Sequence, residues 1–144
     1  MKSYFDTSVL VAAALENHPH HVPAAALLRK VRDGEVVGWI SAHGLAEFYA
    51  VLTRVPLRPP VYPSEAWRII EHDIHPHFEV ASLSGKEYLK IIGNCAAAGW
   101  TGGRVYDALH VAAARKAGCD QIYTFNLRHF RELAPAMGER IRTP

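Results

Sequence analysis

Apolar residues in this chain fall into short unbroken runs separated by stretches at helical spacing, and that alternation predicts the elements in order. Lys2 to Phe5 predicts a short strand ending at Asp6. A helix then starts around Thr7, its free N–H groups capped by the Thr7 hydroxyl or the Asp6 carboxylate. Asn17-His18-Pro19-His20 breaks the pattern. Ala24, Leu27, Leu28 and Val31 recur at helical spacing, with Arg29, Lys30 and Arg32 on the solvated side, and Asp33-Gly34 ends that helix. Val36 to Ile40 is a continuous apolar run of the kind found in a parallel strand covered on both faces. Ser41 caps the next helix, which Leu45, Tyr49 and Leu52 carry.

Val55 to Pro63 holds four prolines, which exclude helix there and predict a loop. Ser64 restarts a helix that runs to about Ile74. Phe78 to Leu83 predicts a third strand, Ser84 opens a helix to about Ala98, and Gly99 to Gly103 is a glycine-rich loop. From Arg104 a helix runs to Lys116, with Val105, Ala108, Leu109 and Ala112 on one face, and Gly118 stops it. Gln121 to Thr124 is a further strand, Arg128 onward is helical until Pro135, and Arg140-Ile141-Arg142 forms a final edge strand. Strands that alternate with helices predict a parallel α/β sheet, whose ligands gather at the carboxyl ends of the strands.

Composition narrows this little. A chain of 144 residues, 49% hydrophobic and 21% charged, suits one globular domain spanning residues 1–144. The net charge of +2 permits contact with nucleic acid without demanding it. Apolar runs such as Val9 to Leu15 are too short to cross a bilayer, so no membrane partner is expected. An acid at Asp6 precedes any apolar build-up, which argues against a signal peptide. Cys95 and Cys119 have no paired spacing, and a reducing cytoplasm is the simplest setting for them.

The chemistry lies in three acids set among apolar residues: Asp6 after the first strand, Glu47 in Leu45-Ala46-Glu47-Phe48-Tyr49, and Asp107 in Val105-Tyr106-Asp107-Ala108-Leu109-His110. A buried charge without a partner costs several kcal/mol, roughly what a domain can spare. Asp6 and Asn126 sit at strand ends, and Glu47 and Asp107 near helix starts on the same rim. Taken singly, Asp6 is a helix cap, Glu47 a partly exposed helix acid and Asp107 a first-turn partner of the helix dipole. Taken together, three acids on one rim require a cation between them.

These segments resemble the PIN-domain nucleases, and within them the VapC-type ribonuclease toxins of toxin–antitoxin pairs. The resemblance rests on Phe5-Asp6-Thr7-Ser8-Val9-Leu10, on Ser41 through Arg54, on Gly103 through His110, and on Thr124-Phe125-Asn126-Leu127-Arg128-His129-Phe130. It implies a three-layer α/β/α fold around a central, mainly parallel sheet. It also implies that Asp6 and Asp107 bind Mg²⁺ or Mn²⁺ directly and that Glu47 binds directly or through water. Both are hard cations that favour oxygen ligands. The family's fourth acidic position falls on Asn126, whose amide adds no charge; a second cation would then need RNA phosphate oxygens as ligands.

The implied reaction is hydrolysis of single-stranded or looped RNA to 3′-hydroxyl and 5′-phosphate ends, with the metal lowering the pKa of the attacking water and stabilising the transition state. Arg104, Arg128 and Arg54 would hold flanking phosphates, and Thr7, Ser8 and Thr124 would orient water. The implied partners are a small antitoxin that covers an apolar groove and a second copy of the chain in a homodimer. The rival is a PIN-like scaffold that binds RNA or protein without cutting.

Other features carry less. His72, His75 and His77 lack a fourth ligand and read as solvated loop residues. His110, one turn after Asp107, reads as a hydrogen-bonded packing residue, and Trp100 as a residue packed on a neighbouring helix. An aspartyl nucleophile would want an acid where Ser8 stands, a phospho-receiver would want a lysine after the late strand, and no glycine-rich nucleotide motif is present.

Overall fold

The computed structural model describes residues 1–144. Five strands form one sheet in the order β3-β2-β1-β4-β5: β1 Lys2–Phe5, β2 Val37–Ser41, β3 Phe78–Ala81, β4 Gln121–Tyr123 and β5 Ile141–Arg142. Every pairing is parallel, with Tyr4 opposite Trp39 and Phe5 opposite Tyr123 across the central strand. Seven α-helices cover the two faces: α1 Thr7–Ala14, α2 His21–Arg32, α3 Ala42–Arg54, α4 Pro63–Ile69, α5 Gly85–Ala98, α6 Arg104–Lys116 and α7 Leu127–Leu133. The three-layer α/β/α arrangement implied by the sequence is the one observed.

Successive side chains of a strand point to opposite faces, and β1 uses this to seed two cores. Phe5 packs with Val9, Leu10, Leu27, Phe48, Leu52 and Phe78 under α1 to α4. Tyr4 packs with Val111, Ile122, Phe130 and Ile141 under α6 and α7. From Val9 on, helix α1 is apolar all round because β1 delivers it straight into the first core, where Val9, Leu10 and Ala12 have no exposed surface. Gly38 of β2 lies where a Cβ would come within 2.7 Å of the Phe78 ring and 2.8 Å of Val31, so close sheet–helix packing requires glycine there.

Two local differences from the expected elements have simple causes. The helix expected from Ser64 to Ile74 begins at Pro63, whose missing N–H costs nothing in a first turn. Its end, Ile70–Ile74, widens into a π turn closed by His75 N–H donating to Ile70 O at 2.8 Å, and Pro76 has no N–H to continue it. After α7, Pro135–Arg140 forms a 3₁₀ turn that delivers Ile141 to the sheet edge, fully buried.

From β1 the chain steps to β2 and β3 on one side, then crosses to β4 and β5 on the other. The switch of direction lies between β1 and β4, where a crevice opens outside the carboxyl ends of the strands. Asp6 N–H donates to Tyr123 O at 3.0 Å, so the β1–β4 ladder continues to the residue that enters this crevice.

Candidate active site

Four elements deliver polar side chains to that crevice. Asp6, Thr7 and Ser8 come from the end of β1 and the start of α1, Glu47 from the second turn of α3, Asp107 from the first turn of α6, and Asn126 from the loop after β4. They line one open cavity of about 400 Å³. Thr124 sits just beneath, fully buried. Arg54, Arg104 and Arg128 do not line the cavity. Arg104 and Arg128 both pair with Glu132 on α7, and Arg54 is exposed at the end of α3.

Asp6 occupies the residue before α1 in extended backbone, but its side chain does not cap the helix. The cap expected from sequence is therefore absent, because the carboxylate is taken elsewhere. Ser8 Oγ donates to Asp6 Oδ2 at 2.7 Å and Thr124 Oγ1 donates to the same oxygen at 2.8 Å. Each hydroxyl is itself fixed from behind, since Phe125 N–H donates to Ser8 Oγ and Asn126 N–H to Thr124 Oγ1. One oxygen of Asp6 is thereby held by hydroxyls, and the other lies 3.5 Å from His110 Nε2. Asp107 is oriented by Asn126, whose Nδ2 donates to Asp107 Oδ2 at 3.3 Å.

His110 stands at the centre of the acids. It is 1% exposed, its Nδ1 is 2.7 Å from the Tyr4 hydroxyl, and its Nε2 lies 3.2 Å from Glu47 Oε1 and 3.5 Å from Asp6 Oδ1. Burial alone would push the imidazole toward its neutral form. The hydrogen bond to Glu47 and the charges of Asp6, Glu47 and Asp107 outweigh it, and the His110 pKa is raised. For Glu47 burial opposes ionisation, but bonding to His110 and Thr7 prevails and the pKa is lowered. Asp107 behaves differently: burial and the charge of Asp6 raise its pKa, against weaker opposition from His110 and His129. Burial and the neighbouring Asp6 charge thus hold Asp107 toward its protonated form.

The donors fit a divalent cation. Asp6, Asp107 and Glu47 offer carboxylate oxygens to an open cavity, the ligand set that Mg²⁺ or Mn²⁺ takes. Nitrogen is at hand as well, since ligand atoms of His43, Glu47 and His110 lie within 4.8 Å of one another. Sequence reasoning missed His43 and underweighted His110. The signal was their spacing, four residues before Glu47 and three after Asp107, which puts each on the helical face of its acid. His72 and His75 are exposed outside any such cluster, although His72 sits on a helical π turn and not in the expected loop, and Trp100 lies beside Ile91, Cys95 and Ala108 with the Arg104 guanidinium 5.1 Å from the centre of its ring.

An all-parallel sheet with acids gathered at its switch point defines an α/β protein with a candidate cation site. Residues 3–135 match the PIN domain, and the chain belongs to the PIN-domain family. Within it the chain is of the VapC type: it is 30% identical over 109 residues to Ribonuclease VapC27 of Mycobacterium tuberculosis, covering 76% of this chain and 74% of that one. Its fold is shared by M. tuberculosis VapC20, described as a sarcin-ricin loop cleaving toxin, at 20% identity and a TM-score of 0.67, covering 88% of this chain and 92% of that one. VapBC2 from Rickettsia felis, solved bound to a DNA fragment from its promoter, matches at 16% identity and a TM-score of 0.62, covering 100% and 98%.

Proposed function

We propose that this chain is a divalent-cation-dependent endoribonuclease and the toxin of a toxin–antitoxin pair. The observation that carries the reading is the meeting of Asp6, Glu47 and Asp107 in one solvent-open cavity at the switch point of the sheet. Asp6 and Asp107 would hold Mg²⁺ or Mn²⁺, with Glu47 completing the set directly or through water. When bound, the cation would lower the pKa of the attacking water and stabilise charge building on phosphorus.

The chain's own groups prepare that site. Ser8 and Thr124 fix Asp6, Asn126 turns the Asp107 carboxylate, and His110, held by Tyr4, ties Glu47 to Asp6. Such backing matters, because loss of a group that orients a metal ligand typically costs about 10–100-fold in affinity or activity. Arg104 and Arg128, paired with Glu132, are placed to meet RNA phosphates beyond the cavity rather than the reacting one.

A small antitoxin is the proposed protein partner. A cleft of about 290 Å³ lined by Leu10, Ala14, Leu28, Phe48 and Ile69, together with Arg29, Arg32 and Asp73, opens among the helices of the first core and offers a seat for an amphipathic helix. Trp67 and Tyr62, 58% and 55% exposed, leave a further apolar surface on which a homodimer would form. No helix is long and apolar enough to cross a membrane. Free Cys95 and Cys119 suit the cytoplasm, where the RNA substrate is found.

The test is incubation of single-stranded and looped RNAs with Mg²⁺, Mn²⁺ or EDTA, followed by analysis of the new ends. Cation-dependent cutting that leaves 5′-phosphates supports the proposal. RNA bound but left whole under every condition would replace it with the non-cutting scaffold.

A further inference from the structure

Two stacked aromatic pairs border the carboxylate cavity, and the proposed mechanism uses neither. His43 and Tyr106 stack with ring centroids 5.2 Å apart and planes within 13°. Tyr106 directly precedes Asp107, and His43 Nε2 is 3.9 Å from Glu47 Oε2. His20 and Phe125 stack at 4.5 Å and 16°, and Phe125 directly precedes Asn126 and lines the cavity beside Asp6 and Asp107. His18, on the same cavity wall, adds a third ring 6.5 Å from Phe125.

The outer members of both pairs face water. Tyr106 is 50% exposed and His20 is exposed, so neither is needed to fill a core. Large flat rings left open next to this cavity suit nucleobases, every one of which has a π face. Arg104 and Arg128 lie outside the cavity, so their role toward RNA is at phosphates beyond it and not at these bases.

We infer that Tyr106–His43 and His20–Phe125 are stacking platforms for the unpaired bases on either side of the phosphodiester held at the acids. The inference rests on the ribonuclease reading for the identity of its ligand. It confines substrate to single-stranded or splayed-out RNA, because a base inside a duplex cannot present its face to a side chain. It also makes base preference a matter of stacking strength at these rings.

The experiment uses a ten-residue RNA of alternating 2-aminopurine and uridine, whose fluorescence falls when a base stacks on an aromatic ring. The full-length chain would be titrated in EDTA and again in Mg²⁺, beside Tyr106→Ala, Tyr106→Phe and His20→Ala, each checked for native circular dichroism. The expected result is quenching by wild type and Tyr106→Phe, with roughly tenfold weaker binding and reduced quenching in each alanine variant, the loss of one base stack.

Absence of quenching by wild type would overturn the inference, as would alanine variants that bind and quench like wild type. So would alanine variants that lose only binding to a small antitoxin, which would assign the rings to a protein contact. A wild type that quenches yet leaves RNA uncut in Mg²⁺ and Mn²⁺ keeps the platforms and removes the ribonuclease reading; one that cuts without quenching removes the platforms alone.

Discussion

His110 Nε2 lies 3.2 Å from Glu47 Oε1, although 63 residues separate the two in the chain. The contact joins α6 to α3 across the end of the sheet, and Tyr4 of the central strand anchors the other ring nitrogen. One imidazole therefore fixes the spacing of acids that would otherwise drive one another apart.

This relationship gives a signed pH prediction for the cation-free protein. The folded pKa of His110 is raised above its ordinary 6.5, so its contribution to stability is fully present below 6.5 and is lost as pH rises through the higher folded value. In EDTA, the stability gap between wild type and His110→Gln should be widest in mild acid and narrow as pH climbs. Urea unfolding at a series of pH values checks this; a gap that widens with rising pH would show a neutral imidazole.

Asp107 has the opposite sign. Its raised pKa means that the folded state gives up the proton reluctantly, so ionisation near neutral pH costs stability. Asp107→Asn should melt higher than wild type in EDTA at pH 7 and lose that advantage below the ordinary carboxylate value of 3.8. Adding Mn²⁺ at a hundred times its dissociation constant should stabilise wild type by about 2.7 kcal/mol and the variant far less. Equal cation shifts in both would detach Asp107 from the cation.

Ser8→Ala and Thr124→Val each remove one hydroxyl that donates to Asp6 Oδ2. Each should cost about 1.5–3 kcal/mol of stability, the worth of a hydrogen bond to a charged group. Calorimetric titration with Mn²⁺ should show affinity weakened by about 10–100-fold. Unchanged cation affinity in both would mean that Asp6 needs no such support.

Gly44 tests the packing of the site from the other side. Alanine in place of a helical glycine ordinarily stabilises by about 1 kcal/mol. Here the added Cβ would meet Ser41 Oγ at 3.0 Å and His110 Cε1 at 3.2 Å, and His110 cannot retreat from Tyr4 and Glu47. Gly44→Ala should therefore fail to stabilise and should lower the rate of RNA cleavage about tenfold or more, a small misplacement of catalytic groups being costly. A variant both more stable and fully active would show the site to be loosely packed.

Most of the fold was legible because its signals are local. Strand β2 shows as a short apolar run, Ser41 and Ser84 mark helix starts, and both accept backbone N–H groups as caps. The acids were legible through their unusual neighbours. The partners of those acids were not. Whether Asp6 caps its helix or takes hydroxyls from Ser8 and Thr124 depends on a strand 118 residues away, which spacing along the chain does not encode. His110 was visible as a residue on the Asp107 face, but its place among the charges needed Tyr4 and Glu47 to be brought together in space. The π turn at Ile70–Ile74 was hidden for a related reason, since its apolar spacing also fits an α-helix.

The most direct measurement is the rate of single-stranded RNA cleavage in Mn²⁺ by wild type and by Asp6→Asn, a change that keeps the shape of the side chain and removes its charge. The account predicts cutting by wild type that EDTA abolishes, and a variant slower by about a hundredfold or more. Equal rates for the two proteins, or cutting that survives EDTA, would contradict a nuclease centred on these carboxylates.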